Sequence, residues 1–173
     1  RAGYPESKRC GESLCQAYIK QKNMDIVIPR ITRSYGPTMI MTDTKAISQF
    51  IRKAIAGEDI IQKSDGNQYY SFTYVADAVA GLLTVLLKGK RGEAYNISDE
   101  KSDVRLKDLA MLIAKKCDGH VVFDVPDDVE KEGYSKSSKA RLDSNKLSKL
   151  GWNALYSIDT GIEHTINILK NSH

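Results

Sequence analysis

The chain has 173 residues, of which 41% are hydrophobic and 28% charged. This length suffices for one ordinary domain with a buried core, and the composition argues against a disordered chain. The 26 basic and 22 acidic residues leave a net charge of +4, and the lysines form no dense basic block. Binding to nucleic acid is therefore unsupported, and no apolar run approaches the ~20 residues of a membrane span.

The cysteines and histidines indicate neither disulfides nor a metal site. Cys10, Cys15 and Cys117 are odd in number and show no C-x-x-C spacing. We therefore expect reduced thiols and a cytoplasmic protein. His120 and His164 have no cluster of carboxylates or cysteines near them in the sequence. A metal site is not expected.

The first part of the chain predicts a helix, a strand and a turn. Apolar residues at three- and four-residue spacings predict a helix over residues 4–21. The continuous apolar run at 25–29 predicts a strand buried on both faces of a parallel sheet and ended by Pro29. Tyr35-Gly36-Pro37 predicts a turn.

The middle of the chain alternates predicted helices and strands. Thr42 or Asp43 is expected to cap a helix that runs to Ile55 and is stopped by Gly57. Strands are predicted at 60–61 and 70–74, separated by a turn at 64–67. The helix predicted at 75–87 is expected to bury one side, made of Val79, Leu82, Leu83 and Leu86.

The last part continues this alternation. Strands are predicted at 93–98 and 121–123, and helices at 106–117, 143–150 and 158–169. Residues 124–139 are polar and rich in Ser and Lys, which predicts a mobile excursion. Alternating strands and helices predict an α/β protein.

Tyr4 and Lys8 form the first candidate for chemistry. A spacing of four residues places two side chains on one helix face, with Cβ atoms about 5–6 Å apart. An ammonium beside a phenol stabilises the phenolate, so the pair suits a general acid/base. On spacing alone, a solvated helix face is the commoner explanation of such a pair.

Five motifs in order carry a resemblance that covers nearly all of the chain. They are Tyr4-Pro5-Glu6-Ser7-Lys8, then residues 28–37, 65–77, 92–97 and 142–152. The first is similar to the YxxxK helix of extended short-chain dehydrogenase/reductases. The others resemble segments of the nucleotide-sugar epimerase, dehydratase and decarboxylase group within that family.

The resemblance implies an NAD(P)-binding Rossmann domain and a smaller substrate domain. In such enzymes a GxxGxxG phosphate loop precedes the tyrosine, and none of the 12 glycines here has that arrangement. The chain therefore resembles the C-terminal portion of such an enzyme, with the N-terminal βαβ units missing. Residues 1–37 would belong to the Rossmann domain and 38–173 mostly to the substrate domain. We expect this portion to be inactive alone and not to retain NAD or NADP.

The resemblance assigns roles near the nicotinamide to four residues. Tyr4 would exchange a proton with a sugar hydroxyl, and Lys8 would hold the nicotinamide ribose. Pro29 and Arg30 would lie at the strand end beside the cofactor. For Pro29, simple termination of the strand is an equal alternative.

The resemblance also indicates residues for a nucleotide-diphosphate sugar. Arg33 occupies the position of a substrate-facing Asn, and Tyr70 replaces the family's diphosphate-binding Arg. Lys139 or Arg141 would supply the missing charge, unless Arg33 does so. Each of these cations has a surface role as its alternative.

Several alternatives remain open. Asp77 is expected to cap the helix that follows Val75-Ala76. The leucines of that helix are core, or else a dimer face, and the resemblance implies a possible homodimer through the YxxxK helix. Epimerisation or dehydration of a nucleotide-sugar is favoured. Decarboxylation of a UDP-uronate, reduction of a 4-keto sugar, and a non-catalytic binding or assembly module are the alternatives.

Overall fold

The computed structural model describes residues 3–40, 42–124 and 139–171. Its helices are α1 (Gly3–Lys22), α2 (Ala46–Ile55), α3 (Val75–Lys88), α4 (Leu106–Lys115), α5 (Asn145–Ser148) and α6 (Ile158–Asn171). Its strands are β1 (Ile28–Ile31), β2 (Arg33–Tyr35), β3 (Ile60–Gln62), β4 (Tyr69–Tyr74), β5 (Ala94–Ile97), β6 (Asp103–Arg105), β7 (Val121–Phe123) and β8 (Lys139–Ala140).

The strands pair in three groups, and most of the pairing is parallel. β1 pairs with β5, β3 pairs with β7, and β4 pairs with β2 and β8, all in parallel. Only β6 runs antiparallel to its partner β4 in the described residues. Parallel strands joined through helices confirm the predicted α/β class.

β1 differs from the expected buried strand. It begins at Ile28 rather than at residue 25, and only Ile28 is buried. Pro29 lies inside the strand and does not end it. The amides of the even-numbered residues Ile28 and Thr32 donate to carbonyls on the β5 side. Backbone nitrogens alternate between the two edges of a strand, so the nitrogen of Pro29 faces the edge away from β5. A proline without an N–H is tolerated there because no ladder bond is lost.

β4 lies at the centre of the larger core. The strand predicted at 70–74 is present and begins one residue earlier, at Tyr69, and five of its six residues are buried, including the polar Ser71 and Thr73. Phe72 and Tyr74 pack with α2 and α4 residues such as Ile51 and Leu109 in that core. The short strands β2 and β6, which the sequence did not reveal, both pair with β4.

The prediction of which side of α3 is buried is wrong. Val79, Leu83 and Leu86 are 50%, 52% and 68% exposed, and only Leu82 of the predicted set is partly covered. The helix instead packs through its small residues. A Cβ added at Gly81 would meet Ile97 at 2.7 Å, so glycine permits the close approach of α3 to β5.

The start of α2 also differs from the expectation. The helix begins at Ala46 with Lys45 as its N-cap residue, and neither Thr42 nor Asp43 caps it. The Asp43 carboxylate accepts hydrogen bonds from the Lys45 backbone and from the Ser48 hydroxyl. The Lys45 backbone bond is the main reason that the pKa of Asp43 is lowered. The predicted stop at Gly57 agrees with its positive φ of 72°.

Asp77 joins α3 to the C-terminal region instead of capping its own helix. It is 2% exposed, and its carboxylate accepts hydrogen bonds from the backbone amides of Leu155 and Tyr156, both at 3.0 Å. Its carbonyl accepts from Trp152 Nε1 at 3.2 Å. The expectation of a structural role is therefore met through a different contact.

A mobile excursion was predicted at 124–139. Residues 125–138 of it lie outside the described part of the chain.

We expect Asp77→Asn to lower the free energy of unfolding by about 1–3 kcal/mol. The amide keeps the size of the side chain, but one of the two backbone donors then faces an NH2 group. Urea unfolding followed by circular dichroism measures the change. The matched control is Asp25→Asn at an exposed position, and equal midpoints for the two variants would contradict the assigned role of Asp77.

Candidate functional site

Tyr4 and Lys8 lie on one face of α1, as their spacing predicts. Lys8 Nζ is 5.4 Å from the centroid of the Tyr4 ring, within the range of a cation–π contact. The Tyr4 side chain is 73% exposed, so its hydroxyl is accessible to a ligand. The two candidate groups are therefore adjacent and open to solvent.

Polar contacts attach α1 to the rest of the protein, since none of its residues is buried. Arg30 of β1 donates from Nε and Nη2 to the two carboxylate oxygens of Glu12, at 2.7 and 2.6 Å. This bond lowers the pKa of Glu12 and raises the pKa of Arg30. Gln16 Nε2 donates to the carbonyl of Gly92 at 2.8 Å. Sequence analysis missed this role of Arg30, because nothing in the sequence pairs it with a residue of α1.

Arg33 and Tyr70 form a second close pair. Arg33 opens β2 and Tyr70 lies on the neighbouring β4, where the register sets Arg33 opposite Phe72. The Arg33 guanidinium lies over the Tyr70 ring, 3.8 Å from its centroid. Arg33 stays exposed as a residue, while partial burial of its guanidinium lowers its pKa.

Lys139 and Arg141 lie with Tyr69 and not with Tyr70. Lys139 is in register with Tyr69, and the Arg141 guanidinium is 5.1 Å from the centroid of the Tyr69 ring. Tyr69 and Tyr70 are consecutive strand residues, so their side chains point to opposite faces. The structure therefore divides the four candidate substrate residues between two separate surfaces.

A cleft that the sequence did not reveal adjoins Tyr70. It measures about 530 Å³ and lies between α2, β3 and β4, with Phe50, Leu106 and Tyr70 among its lining residues. Gln62 also lines it and is 3% exposed, yet its Oε1 has no hydrogen-bond partner in the described residues. Most of its described lining residues carry polar side chains, Lys53 and Lys63 among them. A cleft of this size is typical of a small-molecule site.

The remaining candidates for chemistry have structural partners or no cluster around them. The Tyr74 hydroxyl and His164 Nδ1 share a hydrogen bond of 2.6 Å, which ties β4 to α6. Within residues 3–40, 42–124 and 139–171, no group of three His, Cys, Asp or Glu is placed to hold a metal. No helix in the same ranges is long and apolar enough to cross a bilayer.

Comparison with known proteins identifies relatives across nearly the whole chain. The model of the NAD dependent epimerase/dehydratase family matches residues 1–98. UDP-glucuronic acid decarboxylase 1 of Xenopus tropicalis is 30% identical over 98% of this chain and 39% of its own length. UDP-glucuronic acid decarboxylase 6 of Arabidopsis thaliana is 33% identical over 94% of this chain and 46% of its own length. The chain thus spans less than half the length of these curated relatives.

Solved structures show the same fold. UDP-glucose 4-epimerase of Thermotoga maritima, solved with UDP-glucose, superposes with a TM-score of 0.86 at 21% identity, over 98% of this chain and 53% of that one. UDP-glucuronic acid 4-epimerase of Bacillus cereus, solved with UDP-glucuronic acid and NAD, gives 0.82 at 24% identity over the same shares. The chain belongs to the NAD-dependent epimerase/dehydratase family.

Proposed function

We propose that this chain supplies the proton-transferring pair and the sugar-nucleotide site of an NAD-dependent enzyme that oxidises a hydroxyl of a nucleotide-diphosphate sugar. The observation that carries the proposal is the adjacency of Tyr4 and Lys8 on the exposed face of α1. A phenol beside an ammonium, open to a ligand, is suited to general base catalysis. Family membership and the NAD-bound neighbours support the choice of cofactor.

The residues of this chain account for the proton half of the reaction. Tyr4, as phenolate, accepts the proton of the sugar hydroxyl, and the carbon–oxygen bond becomes a carbonyl that the new phenol hydrogen-bonds. Lys8, on the same helix face, would hold the ribose of the cofactor. NAD, when bound, would supply the acceptor for the hydride of the same carbon.

The identity of the sugar decides the step after oxidation. In a uronic acid, the new ketone lies two carbons from the carboxylate carbon, so the bond to that carboxylate is weakened and carbon dioxide can leave. The relatives at 30% and 33% identity are UDP-glucuronic acid decarboxylases, which favours this outcome. Epimerisation and dehydration, which the motifs favour, begin with the same step at Tyr4.

The nucleotide is proposed to bind beside β4. The cleft bordered by Phe50 and Tyr70 has the volume for a nucleoside, and Gln62 offers it an amide oxygen. The diphosphate requires a cation, and the candidates from the motifs are Arg33 on the Tyr70 face and Lys139 with Arg141 on the Tyr69 face. Lys53 and Lys63 line the cleft itself, and Lys53 pairs there with Glu58 at 3.3 Å. The neighbours solved with UDP-glucose and UDP-glucuronic acid support a nucleotide-sugar as ligand.

The free cysteines support a reducing compartment. Cys10, Cys15 and Cys117 are all unbridged, and Cys10 is exposed. Exposed thiols persist best where cellular reductants keep them reduced. We propose the cytoplasm as the location of the protein.

Tyr4→Phe is expected to lower kcat of the complete protein by at least about 100-fold, because a ring without a hydroxyl cannot take the proton. UDP binding should remain unchanged, since no part of Tyr4 is needed for it. Turnover of UDP-glucuronic acid, UDP-glucose and dTDP-glucose with NAD, measured by mass spectrometry of the products, reports the effect. Tyr18→Phe on the same helix is the matched control.

The products distinguish the branches of the proposal. Release of carbon dioxide from UDP-glucuronic acid supports decarboxylation, whereas an isomer of equal mass or loss of water indicates epimerisation or dehydration. Undiminished turnover by Tyr4→Phe would refute the role of Tyr4. Failure of the complete protein to turn over any of the three sugars would contradict the proposed function.

We further propose that this chain by itself does not hold NAD or NADP. Backbone approach to a pyrophosphate requires a glycine-rich loop at a helix N-terminus, and its glycines have no such spacing. Calorimetric titration of the chain with NAD and with NADP should give no measurable heat of binding. Micromolar affinity for either cofactor would overturn the proposal, and a parallel titration with UDP shows whether the preparation is active in binding.

Homodimerisation through α1 is a separate proposal. Leu14 and Tyr18 lie four residues apart on this helix and are 56% and 45% exposed, so they share one open face that a second copy could cover. We expect Leu14→Lys to shift the protein to monomer in sedimentation velocity. Leu155→Lys, at an 87% exposed position elsewhere, should leave the sedimentation coefficient unchanged. A wild-type monomer at tens of micromolar would contradict the proposal.

A further inference from the structure

We propose that Arg33, stacked on Tyr70, is the cation that binds the diphosphate of the ligand, and that Lys139 and Arg141 do not. The inference rests on the proposed function, because it specifies how the nucleotide-sugar of that proposal is recognised. It also assigns diphosphate recognition to β2, a strand that the sequence did not reveal. Charge balance, rigidity and position distinguish Arg33 from the other two cations.

Charge balance separates the two arginines. Arg141 Nη1 lies 3.7 Å from Asp103 Oδ2, and the Asp103 side chain is only 5% exposed. Binding an anion at Arg141 would therefore compete with a carboxylate that is already in place. Arg33 has no carboxylate partner within residues 3–40, 42–124 and 139–171, and its guanidinium is partly withdrawn from water. An anionic ligand compensates such a cation most directly.

Rigidity also favours Arg33. Its guanidinium lies 3.8 Å from the Tyr70 centroid, a stacked contact that fixes the side chain before a ligand arrives. Tyr70 is itself 9% exposed and held in the core around β4. Stacking engages the face of the guanidinium and leaves its N–H edge available for paired hydrogen bonds to phosphate oxygens.

The position of Arg33 is suited to a nucleotide in the neighbouring cleft. Tyr70 lines that cleft with one part of its surface and supports Arg33 with another. Arg33 also follows the carboxyl end of β1, the edge of parallel strands at which ligands bind in α/β proteins. Lys139 and Arg141 face a different cleft, lined also by Asp103, Asp108 and Arg105. An anion bound there would compete with the two carboxylates that already lie among these three cations.

Calorimetric titration with UDP and with uridine tests the assignment. The wild type should bind UDP at least about tenfold more tightly than uridine, because only UDP carries the diphosphate. Arg33→Asn should weaken UDP binding by at least about tenfold and leave uridine binding unchanged, so that the preference for UDP disappears. Arg105→Asn removes the same charge from an exposed position in register with Tyr69 and serves as the matched control.

Two further variants test the stack and guard against a folding defect. Tyr70→Phe keeps the ring and should keep UDP affinity, whereas Tyr70→Leu should lower it by several-fold. Arg33→Lys keeps a cation at the same position of β2 and should retain a preference for UDP over uridine. Unchanged uridine binding by Arg33→Asn shows that this variant is folded.

The outcomes separate this inference from the proposed function. If the wild type binds UDP but Arg33→Asn binds it equally well, Arg33 is not the diphosphate anchor and the inference is wrong. The same holds if Arg141→Asn, and not Arg33→Asn, removes the preference for UDP over uridine. If the wild type binds neither UDP nor uridine, the proposed function is contradicted together with this inference.

Discussion

One short segment links the two halves of the candidate site, and Thr32, between its two strands, is the constraint on which they depend. Residues 28–35 run from β1, which pairs with β5, to β2, which pairs with β4. Thr32 lies between the strands, its amide donating to the Ile97 carbonyl at 3.3 Å and its hydroxyl sharing a 2.6 Å hydrogen bond with Thr73. Thr32 thus connects the two sheets through its hydrogen bonds. Arg30, on one side of Thr32, binds Glu12 of the helix that carries Tyr4 and Lys8. Arg33, three residues further along the chain, stacks on Tyr70.

The alternation of β4 then determines which groups can act together. Each residue of this strand is held by neighbours on at least one edge, and both faces carry buried side chains. The consecutive residues Tyr69 and Tyr70 must therefore point apart, and each supports a different arginine. A shift of one residue in the pairing of β2 would move Arg33 to the other face. Register, and not proximity in sequence, selects the cation beside the cleft.

Sequence patterns predicted the positions of the helices and strands better than their pairing and their buried sides. The helix of Tyr4 and Lys8, β4, and the order of motifs were all predictable, because local spacing and turn residues specify them. The three-residue strand β2 was not, since such short strands depend on pairing with distant residues. The exposed leucines of α3 illustrate a second limit. The helix is apolar around most of its circumference, so periodicity could not tell which side Gly81 would bring against Ile97. The partners of Asp77, more than 70 residues away, leave no local pattern at all.

The attachment of α1 has a consequence for how the proton-transferring pair works. An exposed ion pair contributes only about 0.2–1 kcal/mol, so the bidentate contact of Glu12 with Arg30 cannot hold the helix by energy alone. Its two parallel hydrogen bonds instead specify orientation, and Gln16 fixes a second point one turn further along. The folded-state pKa of Glu12 is depressed, so the contact is present above the unfolded pKa of the carboxyl and is lost as the pH falls through the folded value. At neutral pH the helix is therefore oriented by charge. The orientation of the Tyr4 side chain therefore depends on β1, the strand that continues through Thr32 to Arg33.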